Sequence, residues 1–257
     1  MGALHYGHAR LIEAARSEND FVAVSIFVNP LQFGPNEDYS RYPRALAADI
    51  DLCRSRGADL VFTPSVDDMY PEKQLTFAEV GKVGDNLCGA FRPGHFRGVV
   101  TVVLKLLNIV QPDRAYFGEK DIQQLALIRR MARDLALPVR IAGVPTVREP
   151  DGLALSSRNR YLSPAERTAA TVLYRALLRS RDLAQAGEAG ASVIKKEALR
   201  VLESEPLGKV QYFDLVDENM QPVDRVTPGI RAAVAVWFGS TRLIDNMELV
   251  RIDKDSQ

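Results

Sequence analysis

Apolar positions along the chain fall into two kinds of stretch, short unbroken runs and longer segments at helical spacing, and the two kinds alternate. Leu11, Ile12 and Ala15 recur at helical intervals, and the run Phe21-Val22-Ala23-Val24-Ser25-Ile26-Phe27-Val28 follows, ended by Asn29-Pro30. Such a run predicts a strand buried on both faces. A helix is expected over 44–56, with Leu46, Ile50 and Cys53 inward and Gly57 as its stop. Residues 59–64 then read as a short strand closed by Pro64. Further on, the spacing predicts a helix over 99–110, apolar nearly all round and therefore buried, a strand over 114–118, a helix over 122–135 and a strand over 139–144. Alternation of this kind implies an α/β fold with parallel pairing and right-handed crossovers.

The last third has a different rhythm. Ser163-Pro164-Ala165-Glu166 is a capping box with proline at the first helical position, so a long helix is expected from there to about residue 185. Gly187 and Gly190 break it, a helix over 192–203 follows, and 210–216, 232–238 and 244–250 read as strands. The expected organisation is therefore a first domain over 1–146 and a smaller α+β domain over 147–257.

Composition narrows the partners. The 257 residues are 46% hydrophobic and 26% charged, with 33 basic against 33 acidic side chains. A balanced chain gives no electrostatic case for nucleic acid or a membrane surface. The longest apolar stretch, over 99–110, is interrupted by Thr101, Lys105 and Asn108 and is too short to span a bilayer. Cys53 and Cys88 are too few and too far apart for a disulfide framework or a metal cluster, and no leader pattern is recognised, so a cytoplasmic setting is expected.

Candidate chemistry gathers at the predicted strand ends, where ligands of parallel sheets bind. His5-Tyr6-Gly7-His8 opens the first helix, and the amides and macrodipole of a helix start favour phosphate, to which an imidazole can donate. Gly7 would let that phosphate approach the backbone. The plainer reading is two surface histidines. Asn29, Gln32 and the loop carrying Asp38, Tyr39, Arg41 and Tyr42 fall on the same edge, as do Lys120, Asp121 and Gln124. Taken alone, Asp121 could simply cap its helix while Lys120 is solvated. Ser156-Ser157-Arg158 is either a polar turn or a phosphate grip, hydroxyls meeting oxygens and a guanidinium answering charge. Phosphate-binding features early and late in the chain are what a nucleotidylyl-transfer site needs, one group holding the triphosphate and another closing on it as pyrophosphate leaves.

Taken together, these segments resemble the pantothenate synthetase family of pantoate–β-alanine ligases. The resemblance rests on Met1-Gly-Ala-Leu-His5-x-Gly-His8, Val28-Asn29-Pro-x-Gln32-Phe33, Tyr42-Pro-Arg44, His95-Phe-x-Gly98, Tyr116-Phe117-Gly-Glu-Lys120-Asp121-x-Gln-Gln124 and Ser156-Ser-Arg-Asn-Arg-Tyr-Leu162. It implies a Rossmann-like nucleotidylyl-transferase fold, a homodimer, ATP with Mg²⁺, and pantoate and β-alanine as substrates joined through a pantoyl adenylate. It also implies residue roles. His5, His8, Lys120, Ser156, Ser157 and Arg158 would be catalytic at the phosphates; Met1, Gly2, Phe117, Gly118, Asp121, Val147 and Leu155 would complete the ATP site. Gln32 and Gln124 would hold pantoate, with Asn29, Tyr42 and Arg92 lining that region, and Asp49 would lie near the metal. The smaller domain would act as a lid that keeps water from the adenylate.

One departure from the family pattern bears on the fold. The family normally has a central strand and a Pro-Thr pair before the methionine that is Met1 here, and without that strand its neighbours are expected to lose a hydrogen-bonding partner. Ala48 stands where a second acidic residue can occur, so metal placement rests on Asp49. A different nucleotidylyl transferase would need another acceptor pocket, against which the two neutral amides of Gln32 and Gln124 argue. A non-catalytic interaction module is the remaining alternative, and only the missing strand favours it.

Overall fold

The computed structural model describes residues 2–35 and 37–250. Two compact units divide the chain, Met1–Val147 and Arg148–Gln257.

The first unit runs through α1 (Tyr6–Glu18), β1 (Ala23–Ser25), a 3₁₀ turn at Pro30–Gln32, α2 (Leu46–Ser55), β2 (Leu60–Phe62) and two single turns, α3 (Val66–Met69) and α4 (Cys88–Phe91). It continues with α5 (His95–Val110), β3 (Arg114–Gly118), a 3₁₀ turn at Glu119–Asp121, α6 (Ile122–Asp134) and β4 (Arg140–Val144). Pairing is parallel throughout: β1 with β2, Ala23 opposite Leu60, and β3 with β4, Arg114 opposite Arg140. Each pair is joined by a crossover long enough for a helix, as parallel strands require. Among the described residues these strands form two separate two-stranded sheets.

Three expectations change on contact with the structure. Burial in the run at 21–28 alternates: Val22, Val24 and Ile26 are buried, Ala23 is exposed and Phe21 is 65% exposed. Only one face is covered, because Val22, Val24 and Ile26 pack with Ile12 and Ala15 of α1 and Cys53 of α2. In α2 the buried positions are Asp49 and Cys53, one turn apart, while Leu46 is exposed. And α5 is buried only over its first half, from Phe96 to Val103, whereas Ile109 and Val110 reach solvent because the apolar run outlasts the core.

The second unit holds a 3₁₀ turn at Ser157–Tyr161, α7 (Pro164–Ala169), α8 (Val172–Gln185), α9 (Ala191–Glu203) and the strands β5 (Gly208–Val216), β6 (Arg231–Phe238) and β7 (Thr241–Glu248). The strands pair antiparallel in chain order. The Ser163–Glu166 capping box forms, with the Ser163 hydroxyl accepting the Glu166 amide at 3.3 Å and Glu166 accepting the Ser163 amide at 2.8 Å. The single long helix expected from there is instead broken at Ala170-Thr171, between α7 and α8. Leu173, Leu177, Ile194, Leu202, Phe213, Val234 and Phe238 belong to the one core that α8 and α9 share with the sheet.

Candidate active site

The start of α1 is built by its two histidines. His5 is the N-cap in extended conformation, and its Nδ1 accepts the Gly7 amide at 3.1 Å; His8, three residues on, accepts the His5 amide on its own Nδ1 at 3.2 Å. This is a reciprocal capping box made of two imidazoles where a hydroxyl and a carboxylate are usual. The rings lie with centroids 4.1 Å apart. Because each Nδ1 receives a backbone N–H, the proton of each neutral ring sits on Nε2, and both rings present an Nε2–H donor. Burial foremost, with the Lys120 charge adding to it, lowers the His8 pKa to about 3. His8 is therefore a neutral donor at neutral pH.

The loop before the helix is held by Asp49. Its Oδ2 accepts the Ala3 amide at 3.0 Å and its Oδ1 the Leu4 amide at 2.7 Å, while Ala3 adopts φ 48°, in the left-handed region. Both Asp49 oxygens accept main-chain amides and 3% of its surface is exposed, so what the structure displays for it is the tethering of this loop. Among the described residues no group of three or more His, Cys, Asp or Glu could hold an ion. Gly2 is buried close to Val28 and Tyr42, and a Cβ there would lie 3.1 Å from Val28 Cγ2. Met1 lies outside the described residues.

Beyond β1, Asn29 is 1% exposed and every polar atom of its side chain is used. Oδ1 accepts the Leu31 amide at 3.2 Å and the Tyr70 hydroxyl at 2.9 Å; Nδ2 donates to the Gly98 carbonyl at 3.1 Å and to Gln32 Oε1 at 3.4 Å. Asn29 thus sets the Gln32 amide so that its NH₂ end faces away from Asn29. Burial pushes the Tyr70 pKa up to about 12, so the phenol stays a donor, and the Lys105 ammonium lies 4.7 Å over its ring while donating to the Met69 carbonyl. Tyr42 packs edge-on to Phe33, 5.8 Å between centroids. Arg92 pairs with Glu37 through Nε and Nη2, at 2.6 and 2.5 Å, and gives Nη1 to His95 Nε2 at 2.8 Å.

At the end of β3, Phe117 and Gly118 lead into the turn that carries Lys120 and Asp121. Asp121 makes no side-chain cap for α6; its carboxylate lies 3.8 Å from the Lys120 ammonium, whose side chain is 20% exposed. Neither half of the plainer reading, a capping Asp121 and a solvated Lys120, fits this geometry. The two glutamines that follow differ. Gln123 is buried and satisfied, donating to the carbonyls of Val83 and Asn86 and accepting the Cys88 amide, whereas the side chain of Gln124, half-buried, has no hydrogen-bond partner among the described residues. Val147 is half-buried at the end of the first unit. Helix α1 packs against β3 within this unit, and the Lys120 charge is among those that lower the His8 pKa.

In the second unit Ser156 caps the 3₁₀ turn, its hydroxyl accepting the Arg158 amide at 3.3 Å, and Leu155, Ser157 and Arg158 are half-buried around it. The loop leading there is pinned by Arg148, which pairs with Asp245 of β7 at 2.5 and 3.0 Å and donates to the carbonyls of Gly152 and Asn246. Its guanidinium also lies 4.7 Å over the Tyr174 ring. Sequence reading missed Arg148, Glu37, Tyr70 and Gln123. The hint of the first was an acid, Asp245, directly after the apolar pair Leu243-Ile244 in β7.

Known proteins share this sequence and this fold. A family model described as pantoate–β-alanine ligase matches residues 1–248. The chain is 53% identical over 248 residues to the pantothenate synthetase of Thermosipho africanus, covering 96% of this chain and 89% of that one. To that of Moorella thermoacetica it is 52% identical over 250 residues, covering 97% and 88%. Among solved structures it is similar to pantothenate synthetase from Thermus thermophilus, with TM-score 0.95, 52% identity and coverage of 97% and 91%. It is also similar to the Francisella tularensis pantoate–β-alanine ligase complexed with β,γ-ATP and β-alanine, with TM-score 0.79, 39% identity and coverage of 97% and 87%.

Proposed function

The chain belongs to the pantoate–β-alanine ligase family, and from that premise we propose how its own residues divide the work of the reaction. The reaction joins pantoate to β-alanine with ATP, giving pantothenate, AMP and pyrophosphate through a pantoyl adenylate. A carboxylate oxygen of pantoate bonds to the α-phosphorus as the bond to the bridging oxygen breaks and pyrophosphate departs with its electrons. The β-alanine nitrogen then bonds to the pantoyl carbonyl carbon, AMP leaves, and the amine sheds a proton. No side chain has to act as nucleophile.

In this reading His5, His8 and Lys120 are the phosphate-binding residues of the first unit, and Ser156, Ser157 and Arg158 those of the second. The observation that carries it is the pair of Nε2–H donors fixed at the N-terminus of α1, where backbone dipoles already favour negative charge. Neutral donors placed in advance stabilise charge that moves onto pyrophosphate without reorganising at the moment of reaction. Gly2, Phe117, Gly118, Asp121, Val147 and Leu155 line the nucleotide. Gln124, half-buried and without a protein partner among the described residues, and Gln32, its amide set by Asn29, hold pantoate beside Tyr42. Magnesium would arrive with the triphosphate and help neutralise its charge, with Asp49, held on the amides of Ala3 and Leu4, as the acidic side chain expected to attend it. The second unit serves as the lid, and the enzyme works as a cytoplasmic homodimer, which sedimentation at micromolar concentration tests; no helix among the described residues is long and apolar enough to cross a membrane.

The test is His8→Ala against His8→Gln. Loss of an aimed donor lowers pantoate-dependent ATP–pyrophosphate exchange by about 10²–10³, whereas glutamine, whose Nε2–H stands near the imidazole Nε2, restores part of it. Exchange at the wild-type rate in a folded His8→Ala protein removes His8 from the phosphate site.

A further inference from the structure

We propose that Glu37, Arg92 and His95 form a positioning relay that sets where Gln32 stands for pantoate; the proposal rests on the reading of Gln32 as a pantoate ligand. Gln32 ends a three-residue turn, and its main-chain carbonyl is gripped from the α4–α5 corner: it accepts His95 Nδ1–H at 2.8 Å and Arg92 Nη2 at 3.4 Å. His95 Nε2 in turn accepts Arg92 Nη1 at 2.8 Å, and Arg92 is oriented by its two-pronged pairing with Glu37. The direction of every bond is fixed. A guanidinium only donates and a carbonyl only accepts, so His95 must be the neutral Nδ1–H tautomer.

The relay closes on itself in a way that suits positioning. Glu37 lies five residues beyond Gln32 on the same loop, so one cation on the α4–α5 corner holds both ends of the 32–37 segment. Each nitrogen of the Arg92 guanidinium has a protein partner, which gives it a role through Gln32 rather than the substrate contact its place beside the site suggested. The Gln32 side chain is separately oriented by Asn29. The main chain is therefore held from the α5 side and the amide from the β1 side.

The experiment is a coupling measurement on the full chain, with pantoate varied at saturating ATP and β-alanine. His95→Ala is expected to raise the pantoate KM at least tenfold while kcat changes less than threefold and the ATP KM stays put. His95→Asn keeps an amide N–H where Nδ1–H stood and should return the pantoate KM to within threefold of wild type. In a Gln32→Ala background, His95→Ala should add less than twofold. Equal damage from His95→Ala and His95→Asn, or an undiminished His95 effect in the Gln32→Ala background, overturns the relay alone. A Gln32→Ala protein with unchanged pantoate KM overturns the reading of Gln32, and the relay's purpose with it. Should His95→Ala fail to fold, Glu37→Gln at the half-exposed end of the relay takes its place: it should raise the pantoate KM about threefold, again only when Gln32 is present, and an uncoupled effect counts against the relay.

Discussion

At the scale of single residues, the site is governed by histidines kept neutral. Burial foremost lowers His8 from 6.5 to about 3 and His95 from 6.5 to about 4, the latter helped by the Arg92 charge. Between pH 6.5 and about 4 the unfolded chain therefore takes up protons that the folded chain refuses, so stability is full above pH 6.5 and is lost as pH falls through that window. Melting temperature should drop from pH 7 to pH 4.5, and His8→Gln should make that drop shallower. An identical slope in the variant would show that His8 takes no part. Glu37 sits on the other side of the same balance: its burial is outweighed by the Arg92 hydrogen bonds and charge, which hold its carboxyl below the usual range and keep the pair ionised.

At the scale of elements, what the sequence made legible was type and order, and what it hid was closeness. β3 spans the residues that periodicity assigns to it, and α6 differs by one residue at its end, because each is a strongly patterned segment with clear boundaries. The run at 21–28 misled because continuous hydrophobicity does not say how many faces find a cover; Phe21 and Ala23 did not. His-x-Gly-His was not readable as a capping box, since imidazoles seldom fill that role. Glu37, Tyr70 and Arg92 gained meaning only from contacts across 41 to 60 positions. Gly98 is the sharpest case of closeness: a Cβ there would stand 2.1 Å from the Leu31 carbonyl oxygen. Helix α5 can approach the Pro30–Gln32 turn only because that position has no side chain. Gly98→Ala should cost about 1–3 kcal/mol by overpacking against backbone and raise the pantoate KM; a variant with wild-type melting and KM would mean the turn yields without consequence.

At the scale of the whole molecule, each unit carries its own core, and the second owes the shape of its Ser-Ser-Arg loop to one buried pair. Asp245 is 3% exposed and answers Arg148 with both oxygens. Removing the acid leaves a guanidinium half-buried without its counter-charge, so Asp245→Ala should lower stability by about 3 kcal/mol or more, read by thermal denaturation. Replacing Arg148 and Asp245 together with apolar residues should recover much of that loss, and failure to recover would show that the pair does more than neutralise itself. Gly152 makes the same loop fit for another reason: at φ 91° it lies against Tyr174, where a Cβ would come within 1.9 Å of the ring.

The doubled use of two imidazoles at the head of α1 couples winding to reagent. One nitrogen of each ring ties off a backbone amide, and in doing so compels the opposite nitrogen to carry the ring hydrogen. Unwinding that first coil would free each ring to tautomerise and rotate, erasing the paired donors and the helix origin in a single event. A half-formed donor pair has no place in such an arrangement.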